Sequence, residues 1–248
     1  MNDLTSSVAG KAVLVTGGTT GIGKATALLL AKSGARVMIF GRHLAELDDA
    51  LSIMKEQLFG EKIYGMLADV SEKSEIERVF LEVDEILGPI DILINNAGLG
   101  YAGIMKGDYD DWQYVLNTNL LGYMACAHEA VKRMETKHSG HIINIGSMSA
   151  DTKGAGSSVY VATKAGINGF STSLRKEVNS RGIKVSLIEP GAVNTDMQSQ
   201  SLQEKEKQVA ELKMLEAEDI ARAVGYILSQ SVRCDVVFMQ IRPHLQLI

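Results

Sequence analysis

Cysteine and proline are scarce in this chain, and long apolar runs are missing from it. The 248 residues include two cysteines, Cys126 and Cys234, and three prolines. Two cysteines cannot build a disulfide framework, and these two lack the CxxC spacing that is typical of a zinc site. The longest apolar runs, such as 25–31 and 90–94, fall far short of the roughly 18 residues that a membrane-spanning helix needs. The sequence therefore argues against disulfide-rich, zinc-binding and membrane-spanning classes.

Positive charge in excess and a secretion signal are also missing. The chain has 25 Lys and Arg against 30 Asp and Glu, for a formal net charge of −5. We therefore expect no nucleic-acid partner and no membrane partner. The N-terminus carries Asp3 and no basic segment followed by an apolar one, so no secretory leader is predicted. With no disulfide framework, a reducing, cytoplasmic location is expected. The five histidines show no metal-ligand spacing, so no metal site is predicted.

What the sequence does contain is a regular alternation of two kinds of segment. It is 46% apolar and 22% charged, which is typical of a globular domain, and no repeat or linker divides it. We therefore predict a single domain over residues 1–248. Short apolar runs predict strands, and longer amphipathic segments predict helices. The predicted strands are 12–16, 36–40, 62–67, 91–94, 141–145, 184–188 and 236–240, and the predicted helices are 23–33, 45–58, 73–87, 112–137, 159–180 and 217–229.

The predicted strands are apolar on both faces. Such strands indicate a buried parallel sheet with helices on each side. Right-handed crossovers then favour an α/β fold with a doubly wound, Rossmann-type sheet. A polar and charged stretch, 196–216, follows the sixth strand, and we predict an active-site lid at about 192–216.

A glycine-rich turn connects the first strand to the first long helix. Glycines let a backbone turn sharply and approach a phosphate, and the helix N-terminus offers free N–H groups to it. The spacing is not the common G-x-G-x-x-G. From Gly18 to Lys24 it nearly matches a P-loop, but Ala25 lacks the hydroxyl that holds Mg²⁺. A turn without any ligand is the other alternative. We predict phosphate contacts at Gly17, Thr19, Thr20, Gly21, Ile22 and Gly23.

The end of the second strand bears on the choice of cofactor. Dinucleotide folds often place an acid there for the ribose 2′-hydroxyl, or an arginine for a 2′-phosphate. Here the strand ends Phe40-Gly41-Arg42-His43, with no acid. The planar guanidinium of Arg42 suits a phosphate, which predicts NADPH rather than NADH. Alternatively, Arg42 is a solvated residue at the start of a helix.

Two further turns are candidates for the adenosine half of the cofactor. Asp69-Val70 follows the third strand, where the Asp could accept from the adenine amino group or cap a helix. Asn96, Ala97 and Gly98 follow the fourth strand. These small residues would let the chain pass under the ribose, or they form a plain turn.

Tyr160 and Lys164 are candidates for proton transfer. An i, i+4 pair shares one face of a helix, and a nearby cation stabilises a phenolate. Ser147 follows the fifth strand, at the strand end where open α/β sheets bind ligands. Asn119 stands inside a predicted helix, where asparagine is a poor former. It is either an exposed helix residue or a local irregularity that holds a water.

Taken together, these motifs resemble the short-chain dehydrogenase/reductase family over nearly the whole chain. The matching residues are Thr16, Gly17, Gly21, Ile22, Gly23, Asn95, Asn96, Ala97, Gly98, Asn119, Ser147, Tyr160, Lys164, Pro190, Gly191, Val193 and Thr195. The interval from Ser147 to Tyr160 also matches the family's usual active site.

The resemblance implies a role for each of the site residues. Tyr160 exchanges a proton with the substrate oxygen, Lys164 lowers the pKa of Tyr160 and binds the nicotinamide ribose, and Ser147 hydrogen-bonds the substrate oxygen. Asn119 anchors a water between Lys164 and solvent. The segment with Pro190, Gly191, Val193 and Thr195 holds the nicotinamide. The resemblance also implies a small carbonyl or alcohol as substrate and a homo-oligomer, dimer or tetramer.

Two features depart from the common family pattern. The serine site reads Gly146-Ser147 rather than Ser-Ser, and the tail, 236–246, does not end in the usual apolar strand closing with Asp-Gly-Gly. This tail, the Gly41-Arg42 turn and residues 143–147 are similar to members that oxidise 3-hydroxy acids such as serine. The pocket walls are expected at 99–106, 148–153 and 197–202.

Three classes of function are compatible with these patterns. The first is an NADP(H)-dependent oxidoreductase. The second is a non-catalytic, dinucleotide-binding regulator, which is expected to lack Tyr160 or Lys164, although both are present. The third is a P-loop nucleotidase, which Ala25 opposes.

Overall fold

The computed structural model of the protein describes residues 3–58, 63–198 and 200–246. Within these ranges, seven parallel strands form one sheet. They are β1 (Ala12–Thr16), β2 (Arg36–Gly41), β3 (Ile63–Leu67), β4 (Ile92–Asn95), β5 (Gly140–Ile145), β6 (Ile183–Pro190) and β7 (Phe238–Ile241). Each predicted strand is present to within three residues at either end. Lys62, the first residue of the third predicted strand, lies outside the described residues.

The strand order is β3-β2-β1-β4-β5-β6-β7. The order reverses between β1 and β4, and such switch points are where open α/β sheets bind ligands, beyond the carboxyl ends of the strands. The predicted fold class, a doubly wound Rossmann-type sheet, is confirmed.

Helices cover both faces of the sheet. They are α1 (Leu4–Val8), α2 (Gly21–Lys32), α3 (Leu44–Leu58), α4 (Lys73–Ile86), α5 (Tyr109–Leu116), α6 (Gly122–Glu135), α7 (Ser149–Thr152), α8 (Ser158–Val178), α9 (Leu202–Ala210) and α10 (Ala217–Leu228). A 3₁₀ turn, Asn179–Arg181, follows α8. The helical stretch predicted over 112–137 is present as a continuous segment, in which a π-helical turn, Asn117–Leu121, separates α5 from α6.

Two apolar cores lie on opposite faces of the sheet. Side chains alternate across a strand, so Val13 and Val15 of β1 join one core, and Ala12 and Leu14 join the other. The first core includes residues of α2, α3 and α10, and the second includes residues of α4, α6 and α8. All five residues of β1 are buried. The loops after β1, β4 and β5 therefore lie side by side at the carboxyl ends of these parallel strands.

Candidate active site

The loops that follow β1 and β4 are tied together by hydrogen bonds. The Thr16 hydroxyl accepts from the backbone N–H groups of Asn96 and Ala97, at 2.9 Å each. The Asn96 side-chain amide donates to the carbonyl oxygens of Thr16 and Gly17, at 3.1 and 3.0 Å. The Asn96-Ala97 segment is therefore more than a plain turn, because it holds the glycine turn in shape.

Gly23 brings α2 directly against the glycine turn. A Cβ at this position would lie 2.1 Å from the Gly17 carbonyl oxygen and 2.5 Å from the Asn96 side-chain nitrogen. Only glycine fits at position 23. Helix α2 begins at Gly21, two residues before the predicted start at Gly23. Lys24 forms an ion pair with Asp49 of α3, at 3.5 Å. The P-loop alternative fails on this point, since its lysine must reach the phosphates.

Arg42, Tyr114 and Asp69 form a polar chain at the edge of the sheet next to β2 and β3. Arg42 donates to the Tyr114 hydroxyl and lies 5.6 Å from the centre of its ring. The Tyr114 hydroxyl donates to the Asp69 carboxylate at 2.6 Å. All three line a cavity of about 460 Å³, together with His43, Leu67, Ala68, Glu75 and Arg78. Sequence reasoning missed Tyr114, because nothing local marks a tyrosine of α5 as a neighbour of the β2 and β3 loops.

Asp69 has a different local role from the helix cap that was one of its two predicted roles. Its carboxylate accepts from the backbone N–H of Ser71 at 2.9 Å, whereas the N-cap of α4 is Glu72. Burial raises the pKa of Asp69, but the hydrogen bonds from Tyr114 and Ser71 and the charge of Arg42 outweigh it and lower the pKa. Asp69 is therefore an ionised acceptor at neutral pH. Its neighbour Val70 is buried.

Ser147, Tyr160 and Lys164 meet beyond the carboxyl end of β5. Tyr160 and Lys164 lie one turn apart near the start of α8. The Lys164 ammonium donates to the Ile145 carbonyl at 3.1 Å and lies 5.7 Å from the centre of the Tyr160 ring. The Ser147 hydroxyl is placed to interact with the Tyr160 phenol, and this interaction acts to lower the pKa of the phenol. The structure thus brings together the three groups that the sequence placed 13 and 4 residues apart.

The protonation states of this group follow from burial. Burial raises the pKa of Tyr160, and the hydrogen bond with Ser147 acts in the opposite direction. Burial is the larger of these two effects, so the net shift of the Tyr160 pKa is upward; the lowering by Lys164 that the resemblance implies stays a prediction. Burial also lowers the pKa of Lys164 to about 8, against the charge of Glu189, which raises it. At neutral pH the site therefore holds a protonated phenol beside an ammonium group.

Asn119 lies in the π-helical turn, and its side chain is fully buried. The side chain accepts from the Leu99 backbone N–H at 2.7 Å and donates to the Leu99 carbonyl at 2.8 Å. The prediction of a local irregularity at Asn119 is confirmed, and the exposed-residue alternative is wrong. A Cβ on Gly98 would lie 3.5 Å from the Asn119 side-chain oxygen and 3.8 Å from the Lys164 ammonium, so Asn119 is a near neighbour of Lys164.

The segment after β6 faces the glycine turn. The Pro190 carbonyl accepts from the Met148 backbone N–H at 3.0 Å, which links this segment to the residue after Ser147. Val193 pairs with Leu215 in an isolated bridge. A Cβ on Gly21 would lie 3.0 Å from the methyl group of Thr195. The two turns therefore lie close together, on the side of the sheet where the phenol also lies.

The lid and the tail both contact this segment. In the predicted lid, Lys205 of α9 is buried and donates to the Thr195 carbonyl at 3.1 Å, and the Met197 sulfur lies 4.0 Å from the Tyr160 hydroxyl. In the tail, the Gln246 side chain accepts from the Ala192 backbone N–H at 3.0 Å. The atypical tail thus packs against the turn that was expected to hold the nicotinamide.

A glycine turn against a helix N-terminus at a switch point binds dinucleotides. A tyrosine, a lysine and a serine at the same edge can exchange a proton with a substrate oxygen. Fold and site together define a dinucleotide-dependent oxidoreductase. As for membranes, every helix in the described part of the chain is too short or too polar to cross one.

Comparisons with known proteins identify the family. The family model described as short chain dehydrogenase matches residues 11–206. The chain is 36% identical over 217 residues to carbonyl reductase family member 4 of Danio rerio, covering 87% of this chain and 90% of that protein. It is 37% identical over 227 residues to the 3-oxoacyl-[acyl-carrier-protein] reductase FabG of Haemophilus influenzae, covering 89% and 91%.

The comparison with solved structures points to the same family. A short chain dehydrogenase from Burkholderia cenocepacia in complex with NADP has a TM-score of 0.83 at 28% identity, covering 95% of this chain and 98% of that one. A variant of actinorhodin polyketide ketoreductase with NADPH has a TM-score of 0.85 at 28% identity, covering 95% and 97%. The chain belongs to the short-chain dehydrogenase/reductase family. It is an oxidoreductase that interconverts carbonyl groups and alcohols.

Proposed function

We propose that the protein reduces a small carbonyl compound with NADPH, or oxidises the corresponding alcohol with NADP⁺, and that Tyr160 is the general acid and base. The observation that carries this proposal is that Ser147, Tyr160 and Lys164 converge at the carboxyl ends of the strands, where the glycine turn also lies. A non-catalytic regulator has no need for this arrangement of proton-transfer groups.

The described residues fit a dinucleotide. Because Gly23 has no side chain, a space that a Cβ would fill stays open. The N-terminus of α2 lies beside this space, which suits the pyrophosphate. In this proposal, the phosphates are held by Gly17, Thr19, Thr20, Gly21, Ile22 and Gly23. The adenosine half is held by Arg42, Asp69, Val70, Asn96, Ala97 and Gly98. The nicotinamide half is held by Tyr160, Lys164, Pro190, Gly191, Val193 and Thr195. When bound, the cofactor supplies the hydride that reaches the carbonyl carbon.

The protein's own residues manage the proton and the developing charge. Tyr160 donates its phenolic proton to the carbonyl oxygen, and the raised pKa of Tyr160 keeps that proton in place at neutral pH. Ser147 donates a hydrogen bond to the same oxygen, where negative charge develops. The Lys164 ammonium stabilises the phenolate that remains. We propose that Asn119, buried beside Lys164, holds a water on the path from Lys164 to solvent.

A spectrophotometric panel tests the reaction class and narrows the substrate. The purified protein is mixed with NADPH and small aldehydes or ketones, and with NADP⁺ and small alcohols, including 3-hydroxy acids such as serine. We expect at least one pair to change the absorbance of the nicotinamide at a rate proportional to protein concentration. Product identification by mass spectrometry shows whether carbonyl and alcohol are interconverted. Cofactor binding without turnover of any member of a broad panel would favour the regulator.

The preference for NADPH is proposed from Arg42. The exposed guanidinium borders the 460 Å³ cavity, and β2 ends in Gly41 with no acid at the following position. Two structural neighbours were solved with NADP or NADPH. A guanidinium is suited to a 2′-phosphate, and an acid there would repel it.

Arg42→Gln is expected to weaken use of NADPH and to leave use of NADH nearly unchanged. A hydrogen bond to a charged group contributes about 1.5–3 kcal/mol, so the KM for NADPH should rise by about 10- to 100-fold. Steady-state kinetics with both cofactors measure the two effects. Arg222→Gln is the matched control, because Arg222 is an exposed arginine of α10 that pairs with Asp219. An equal loss with NADH, or tighter use of NADH by the unaltered protein, contradicts the assignment.

We also propose a homo-oligomer, a dimer or a tetramer, that works in the cytoplasm. Exposed apolar side chains support an oligomer, since Leu116 of α5, Leu121 of the π-helical turn and Met124 of α6 are 41%, 54% and 36% exposed along one continuous helical segment. Apolar side chains clustered on a surface mark protein interfaces.

A further inference from the structure

Glu189 is a buried carboxylate that the proposed proton transfer does not use. It stands one residue before Pro190, near the end of β6, and its side chain is 0% exposed. Glutamate is almost never fully buried unless it is paired, because removing a carboxylate from water is costly. The position of Glu189 therefore needs a reason.

Two amide side chains hold this carboxylate. One oxygen of Glu189 accepts from the Asn168 amide at 2.9 Å, and the other accepts from the Gln240 amide at 3.1 Å. Amide N–H groups are donors, and an ionised carboxylate is an acceptor at both oxygens. The two contacts thus suit the charged form of Glu189, and they fix its orientation from α8 on one side and from β7 on the other.

Two contacts connect Glu189 with the elements that carry Lys164 and Ser147. Asn168 is one helical turn after Lys164, so the two share a face of α8. The backbone N–H of Gly146 donates to the Ile188 carbonyl at 2.7 Å, which places the turn before Ser147 beside Glu189. A Cβ on Gly146 would lie 3.0 Å from the Glu189 side chain. The departure from Ser-Ser to Gly146-Ser147 therefore has a physical reason: the extra side chain would press on Glu189.

The atypical tail also reaches this group. The Gln240 amide donates both to Glu189 and to Asp151 of α7. It thus bridges the buried carboxylate of Glu189 and the exposed carboxylate of Asp151, which lies on the short helix that follows Ser147. Both departures from the family pattern, at Gly146 and in the tail, meet at Glu189.

We propose that Glu189 is a positioning residue, which stabilises the Lys164 ammonium from behind the active site and supports the turn that carries Ser147. The proposal rests on the function proposed above for Lys164. The Lys164 ammonium lies 5.7 and 5.8 Å from the ring centres of Tyr160 and Tyr123, and the charge of Glu189 acts on it. Burial lowers the pKa of Lys164 to about 8, and Glu189 is the charge that raises it. Asp151 is connected to Glu189 through Gln240, whose side-chain amide donates a hydrogen bond to each of the two carboxylates.

Glu189→Gln tests this role through the pH profile of kcat. Loss of the negative charge should lower the pKa of Lys164 further, so Lys164 gives up its proton at a lower pH. We expect the limb of the profile that belongs to Lys164 to move down by about one pH unit, as removal of a nearby opposite charge does. At pH 8 the variant should consequently be about fivefold slower than the unaltered enzyme, since Lys164 is about half charged at that pH with a pKa of about 8 and roughly one-tenth charged with a pKa one unit lower. A purely structural role would lower activity without moving the limb.

Two other variants complete the test. Glu189→Asp keeps the charge but withdraws it by one methylene, so the Lys164 limb of the pH profile should move in the same direction by a smaller amount. This variant replaces Glu189→Gln in the test if Glu189→Gln does not fold. Glu177→Gln makes the same chemical change at an exposed position of α8, and its profile should match the unaltered enzyme. Thermal unfolding measures the structural effect of each variant separately. The proposal is overturned if the limb stays in place in every folded Glu189 variant, whereas full activity of Tyr160→Phe would instead refute the function proposed above.

Discussion

Tyr160→Phe is expected to lower kcat by about 10²- to 10⁴-fold, the usual contribution of a positioned acid or base. The change removes one hydroxyl and leaves the ring against Lys164. Neither water nor Ser147 can replace the lost proton donor efficiently, because a serine hydroxyl is a far weaker acid than a phenol. Binding of NADPH should survive, since the glycine turn and Arg42 lie at other positions of the cleft. Stopped-flow or steady-state kinetics, with fluorescence titration of NADPH, measure the two quantities.

Tyr109→Phe is the matched control for this experiment. Tyr109 is the first residue of α5 and is 70% exposed, so loss of its hydroxyl should leave kcat unchanged. If Tyr160→Phe retained turnover within a factor of about two, far below the usual contribution of a general acid, Tyr160 would not be the proton donor. The proposed mechanism would then have to be abandoned, although family membership would stand.

Lys164→Met should have the second-largest effect, a loss of about 10²-fold in kcat, comparable with removal of one preorganised charge-stabilising group. Methionine fills a similar volume but carries no charge, so the phenolate at Tyr160 loses its nearest cation. The variant should also lose its donor to the Ile145 carbonyl. In the oxidation direction, which starts from the phenolate, the loss should be greatest at neutral pH.

The pH profile makes this second experiment specific. In the unaltered enzyme, Lys164 is charged below its pKa of about 8 and neutral above it. The difference in kcat between the enzyme and Lys164→Met should therefore narrow as the pH rises through 8. Lys176→Met, at an exposed position of the same helix, should behave like the unaltered enzyme. A constant ratio from pH 6 to pH 10 would show that the charge of Lys164 does not act on the reaction.

Local patterns were sufficient for most of the fold. Strands such as β1 are apolar on both faces, a pattern that is typical of a buried strand of a parallel sheet. Helix α4 begins at the predicted residue, Lys73. The helical segment predicted over 112–137 is present, but the periodicity of its apolar residues did not reveal the π-helical turn at Asn117–Leu121.

The contacts within the site could not be predicted from local sequence patterns. Tyr114 lies 72 residues from Arg42 and 45 from Asp69, and neither spacing carries a signal in the sequence. Gln240 and Glu189 are 51 residues apart. Burial, which raises the pKa of the Tyr160 phenol, also depends on the assembled structure. A charge seen in a sequence has no known distance or dielectric environment.

By itself, the sequence determined the alternation of strands and helices, the glycine turn after β1, and the chemical types of the catalytic groups. These features depend on neighbours within one or two turns of the chain, whose geometry is the same in every protein. The tertiary structure alone decided that Gly146 leaves room for Glu189, that Tyr114 joins Arg42 to Asp69, and that the tail reaches the active site. Those contacts join distant segments through packing, and only the assembled sheet sets their distances.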